Sequence, residues 1–74
     1  MPDSLKKAAK ELATRVRVAR QARGLSQEAL AHQTGIPYRR YQALEAGTIN
    51  PTLRTLVRIA DALNADVWDL VAGR

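Results

Sequence analysis

SQEALAHQTGIPYRRYQALEAG, residues 26–47, has the pattern of two short helices joined through a glycine turn. Ser26 carries the side-chain oxygen that accepts from the open N–H groups of a helix start. Leu25 before it and Leu30 within it are spaced as a hydrophobic staple. Leu30, Ala31 and Thr34 recur at helical spacing, which leaves Glu28, His32 and Gln33 to the wet face. Gly35 suits the left-handed residue of a helix end, free of a Cβ clash. Ile36 turns back into the core and Pro37 opens a second helix, which Gly47 closes. On that helix Tyr41, Leu44 and Glu45 face inward, while Tyr38, Arg39, Gln42 and Ala43 line the other side. The link is too short for the two helices to lie antiparallel. They must cross at a wide angle, with small Ala31 where the backbones approach, and that is helix-turn-helix geometry.

Helices flank this pair on both sides. Upstream, Asp3 or Ser4 can cap a helix running to about Arg23, with Leu5, Ala8, Ala9, Leu12, Val16 and Ala19 as its apolar stripe. Val18 falls outside the stripe, as surface or partner contact. Arg20 sits on its edge, an odd place for a charge unless something pairs with it. Lys6, Lys7 and Lys10 read as a solvated, solubilising face, with a DNA-binding arm as the alternative. Downstream, Thr48-Ile49-Asn50-Pro51 is a turn by composition. Thr52 caps a fourth helix from Leu53 to Leu63 with Leu56, Ile59, Ala60 and Leu63 inward, and Asn64 ends it. Asp66 caps a last helix from Val67 to about Ala72, with Val67, Leu70 and Val71 on its inward line. Five helices and short links predict an all-α fold, in a single domain over residues 1–74 whose helix-turn-helix core is 26–47.

Charge narrows the partner. The chain has 12 Lys+Arg against 7 Asp+Glu, net +5, and a pI near 10.5, which suits nucleic acid or another polyanion. Six arginines and one acid, Glu28, lie between Arg15 and Arg40, whereas Asp61, Asp66 and Asp69 gather near the C-terminus. One basic face and one acidic end are the layout of a protein that meets DNA on one side. With no cysteine there is no disulfide framework and no thiolate metal site. No apolar run of about 18 residues exists to span a bilayer, and Met1-Pro2-Asp3 does not begin a signal peptide. A cytoplasmic protein without membrane partners is expected.

Arg20, Gly24-Leu25-Ser26-Gln27-Glu28, Leu30-Ala31, Gly35-Ile36, Leu44-Glu45, Gly47, Pro51, Thr55-Leu56, Ile59-Ala60 and Ala62-Leu63 stand at a telling spacing. Through them, from Arg17 to Leu70, the chain resembles the Cro/repressor, or XRE-type, helix-turn-helix family. The resemblance implies a compact five-helix, lambda-repressor-like domain that binds double-stranded DNA with its third helix in the major groove. By that alignment Tyr38, Arg39, Gln42 and Ala43 contact bases. Arg39 suits guanine, Gln42 suits adenine, and Tyr38 a thymine methyl or a phosphate. Gln27 contacts a phosphate and orients the first residue of helix 3, aided by the helix dipole. Arg40 points to the side, towards phosphate, and Ser26 and Asn50 complete the phosphate contacts. The family also pairs the positions of Arg20 and Glu45, which predicts a partly buried ion pair. Two departures stand out. Pro37 replaces the usual Ser or Thr cap, so Gln27 is the side chain left to supply an acceptor. Tyr41 replaces Ile or Val, and its hydroxyl needs a partner.

Catalysis has no support. His32 has no second His and no Cys for a metal site, Asp66 and Asp69 are a cap and decoration, and no glycine-rich phosphate loop occurs. No cofactor, metal or small-molecule ligand is expected. The expected function is a sequence-specific transcriptional regulator, a homodimer on a palindromic operator acting by occupancy. Restriction–modification controller proteins and small phage-type repressors are the nearest likeness, with antitoxins of toxin–antitoxin pairs close by. The rival from another class is an adaptor that uses the same helices to bridge transcription factors. Trp68, with Val67 and Val71, is the expected dimer interface, because tryptophan is costly to expose and enriched at hot spots, with a Trp68 that caps the core against helix 1 as the alternative.

Overall fold

The computed structural model describes residues 1–73. These form five α-helices, α1 Asp3–Ala22, α2 Gln27–Thr34, α3 Tyr38–Glu45, α4 Leu53–Ala62 and α5 Val67–Ala72, and among the described residues there is no strand. No helix among them is long and apolar enough to cross a membrane.

Local chemistry sets most of the ends. Ser26, Thr52 and Asp66 each accept a backbone N–H, from Ala29, Thr55 and Trp68, at 3.0, 3.1 and 2.8 Å. Gly35 closes α2 at φ +72, and Ile36 N–H then reaches back to the Ala31 carbonyl at 3.1 Å. Gly47 does the same for α3 at φ +73, with Thr48 N–H on the Ala43 carbonyl at 3.1 Å. Both are paired end motifs that use up carbonyls the helix leaves open. Among the described residues Asn64 is the one non-glycine residue at positive φ, 51, just past α4.

Three expectations need correction. Neither Asp3 nor Ser4 caps α1: Pro2 holds the capping position with no side-chain bond, and its carbonyl takes Lys6 N–H at 2.9 Å. Asp3 sits inside the first turn, where its charge still favours the helix start. The stripe of α1 includes Ala13, which is buried, and loses Ala8, which is exposed. Val71 is not inward. It is 41% exposed, and Leu70 alone of α5 is fully buried.

The core gathers Val16 from α1, Leu30, Ala31 and Ile36 around the turn, Tyr41 and Leu44 from α3, and Ile59, Ala60, Leu63 and Leu70. Each buried aliphatic side chain contributes about 1.5–3 kcal/mol relative to exposure, and all five helices supply at least one. Buried Thr34 donates its hydroxyl back to the Leu30 and Ala31 carbonyls at 2.9 and 3.1 Å, so no polar cost is left there. Arg15 reaches across the fold to the Leu70 carbonyl at 3.3 Å and pairs with Glu11 at 3.6 Å, which fastens the end of α5 to α1.

Candidate nucleic-acid interface

The exposed face of α3 is held from behind by one carboxylate. Glu45, in the last turn of α3, is 4% exposed, and Arg20, near the end of α1, is 8% exposed. Arg20 Nε donates to Glu45 Oε2 at 2.7 Å and Nη2 to Oε1 at 3.1 Å. Gln27 Nε2 adds a bond to Oε1 at 3.2 Å, and the Tyr41 hydroxyl donates to Oε2. Each carboxylate oxygen therefore accepts two donors. Arg20 Nη1 donates to the Leu25 carbonyl at 2.7 Å, so the guanidinium also ties the α1–α2 turn. The end of α1, the start of α2 and the end of α3 meet at this point.

The electrostatics follow from the donors. Burial alone would push the Glu45 carboxyl up, but the bonds from Arg20, Tyr41 and Gln27 together hold it below its ordinary 4.5. The bond to Glu45 raises Arg20 above its ordinary value despite burial. Burial first, then the Glu45 carboxylate, pushes the Tyr41 hydroxyl up, so it stays a neutral donor.

Gln27 thus differs from expectation. It supplies no acceptor to the start of α3, and its hydrogen-bond partner is Glu45, in the last turn, not the first residue of that helix. The start of α3 presents N–H donors, so the Gln27 amide N–H finds its acceptor in the Glu45 carboxylate instead. One amide hydrogen of Gln27 goes to Glu45, and the second is free to donate outward. Pro37 consequently leaves α3 with no side-chain cap, although its carbonyl takes Tyr41 N–H at 2.9 Å.

The opposite face of α3 is open. Tyr38, Arg39, Arg40 and Gln42 are exposed and Ala43 is half-buried. Among the described residues the only salt bridges are Arg15–Glu11 and Arg20–Glu45, so Arg39 and Arg40 carry uncompensated charge. Tyr38 and Gln42, and Arg39 and Ala43, are four residues apart and form adjacent rows on one helix face. Ser26 and Asn50 are exposed on the flanking segments. Ser26 spends its hydroxyl oxygen on the α2 cap, while Asn50 edges a small apolar recess with Leu5, Leu12, Pro51 and Leu56.

The profile of the helix-turn-helix family HTH_3 matches residues 16–67. The chain belongs to the XRE-type helix-turn-helix family. It is 40% identical over 57 residues to an uncharacterised HTH-type transcriptional regulator of Archaeoglobus fulgidus, covering 77% of this chain and 81% of that one. The restriction-modification controller protein C.AhdI of Aeromonas hydrophila superposes with TM-score 0.81 at 32% identity, over 84% of this chain and 94% of its own. An HTH_3 family transcriptional regulator of Vibrio cholerae gives TM-score 0.85 at 30% identity, over 93% of this chain but 39% of its own. Members of this family are DNA-binding transcriptional regulators and not enzymes, and α2 with α3 is the helix-turn-helix of this one.

Sequence reasoning missed two parts of the site. The Tyr41–Glu45 bond had a signal, since residues four apart on a helix are neighbours and the phenol needed a partner. The Gln27–Glu45 bond joins residues from separate helices and had none.

Proposed function

We propose that this regulator binds a specific palindromic operator as a homodimer and acts by occupancy. The observation that carries the reading is the division of α3, with one face locked by the Glu45 hub and the other offering unpaired Arg39 beside Tyr38 and Gln42. On this reading Tyr38, Arg39, Gln42 and Ala43 meet base edges, Gln27 and Arg40 meet phosphates, and Ser26 and Asn50 line the flanking backbone. Selection from random duplex DNA identifies the site. Arg39→Ala is then expected to cost about 1–3 kcal/mol on that site and to relax the preference at one base pair. Gln27→Ala and Arg40→Ala should weaken selected and random DNA alike. Equal weakening on both DNAs for Arg39→Ala would remove base readout by that residue.

The dimer reading rests on α4 and α5, which carry Leu53, Val57, Trp68 and Val71, four of the seven exposed large apolar side chains. Trp68 is 52% exposed and lies about 160° around α5 from Leu70, so it points out of the fold. A two-fold contact there, with Val71 beside it and Val67 beneath, would set two α3 helices about 34 Å apart, one DNA turn. Trp68→Ala is expected to weaken dimerisation by about 2 kcal/mol, roughly 30-fold, in sedimentation equilibrium. A monomeric wild type, or a variant that dimerises as well, removes this interface.

A further inference from the structure

The two flanks of α1 differ in character. Leu5, Ala8 and Leu12 lie on one flank and line the apolar recess towards α4 and α5. On the other flank, at 100° per residue, Lys6, Lys10 and Arg17 fall within about 40° of one another. All three are exposed, and among the described residues none has an acidic partner. Nothing in the packing of the core needs three cations in a row.

Their flank abuts the end of the reading helix. Lys6 and Lys10 line a groove of about 380 Å³ with Gly47 and Thr48. Lys10 is held tightly there: a Cβ on Gly47 would lie 3.0 Å from the Lys10 Cα. Thr48 donates its hydroxyl to the Ala43 carbonyl at 3.1 Å, so the groove begins directly where the exposed face of α3 ends. The N–H groups of Gly47 and Thr48 are already taken by the Leu44 and Ala43 carbonyls, and of the side chains lining the groove, Met1 included, only the two lysines are charged.

We propose that Lys6, Lys10 and Arg17 form a rail that binds backbone phosphates of the same DNA duplex beyond the end of α3. The proposal rests on the DNA-binding reading of α3. Lys6 and Lys10 precede the residues matched by the family, 16–67, so the rail adds to the family's fold. From Lys6 to Arg17 it runs about 16 Å along the helix axis, enough to follow several phosphates of one strand at roughly 3.4 Å of duplex axis each. Ammonium and guanidinium groups on flexible stems suit phosphate oxygen and read no sequence.

The test is the salt dependence of binding to a random-sequence duplex, followed by fluorescence anisotropy, with thermal melting to verify that each variant is folded. For Lys6→Gln/Lys10→Gln/Arg17→Gln, the slope of log K against log salt should fall by about 0.9 for each phosphate no longer neutralised, and selected and random DNA should weaken by the same factor. Lys7→Gln removes the same charge about 60–100° around the helix from the three and should leave the slope as in wild type. A folded triple variant with the wild-type slope, or a Lys7→Gln effect equal to that of Lys6→Gln, overturns the rail and leaves the reading of α3 intact. A wild type that binds anionic vesicles but no duplex overturns both.

Discussion

Glu45→Ala is expected to cost the fold about 3 kcal/mol, because it strands a buried guanidinium and removes the acceptor of Tyr41 and Gln27 at once. Arg20 is 8% exposed and Glu45 4%, so water cannot replace the missing carboxylate. Against a total stability of about 5–15 kcal/mol for a native domain, that is a large share. Urea unfolding measures it, and a destabilisation below about 0.5 kcal/mol would place the pair with exposed ion pairs. The pH dependence has a fixed sign. Glu45 is depressed in the folded state, so its contribution is complete above its ordinary 4.5 and is lost as pH falls through the depressed folded value. Glu45→Gln should remove that portion of the acid sensitivity.

Gly47→Ala is expected to be the most damaging of the glycine substitutions, at about 3 kcal/mol. A left-handed conformation costs an alanine roughly 1–2 kcal/mol, and overpacking adds about 1–3. At Gly47 the new Cβ would meet the Lys10 Cγ at 2.9 Å and Cα at 3.0 Å, and the backbone of α1 cannot swing aside as a side-chain tip can. Gly35, at nearly the same φ, has nothing within 4 Å, so Gly35→Ala should show only the conformational part. Equal destabilisation by the two in thermal or urea unfolding would show that α1 yields at Lys10.

Much of the fold was legible because its signals are local. Ser26, Thr52 and Asp66 are caps whose acceptors bond within three residues, and Gly35, Gly47 and Asn64 mark ends by the conformation they permit. The start of α1 misled because Asp3 and Ser4 look like caps, while Pro2 already supplies the first carbonyl and fixes the helix before them. In the site, the open face of α3 follows from helical spacing around Tyr41, Leu44 and Glu45. What spacing cannot give is a meeting of side chains from distant parts of the chain. Gln27 meets Glu45 from another helix, and Arg15 meets Leu70 55 residues away. Both depend on how whole helices lie on one another, which no short window of sequence contains.

The split of α3 also bears on how such a protein diverges. The fold's demands on this helix fall on Tyr41, Leu44 and Glu45, whose side chains are buried. The side chains of Tyr38, Arg39 and Gln42 are exposed and are not among the donors or acceptors that hold the fold together. Substitution at those three positions therefore leaves the folding requirement untouched. A lineage can exchange them without first passing through an unstable intermediate, and on the proposed base-reading role each such exchange is a change of target.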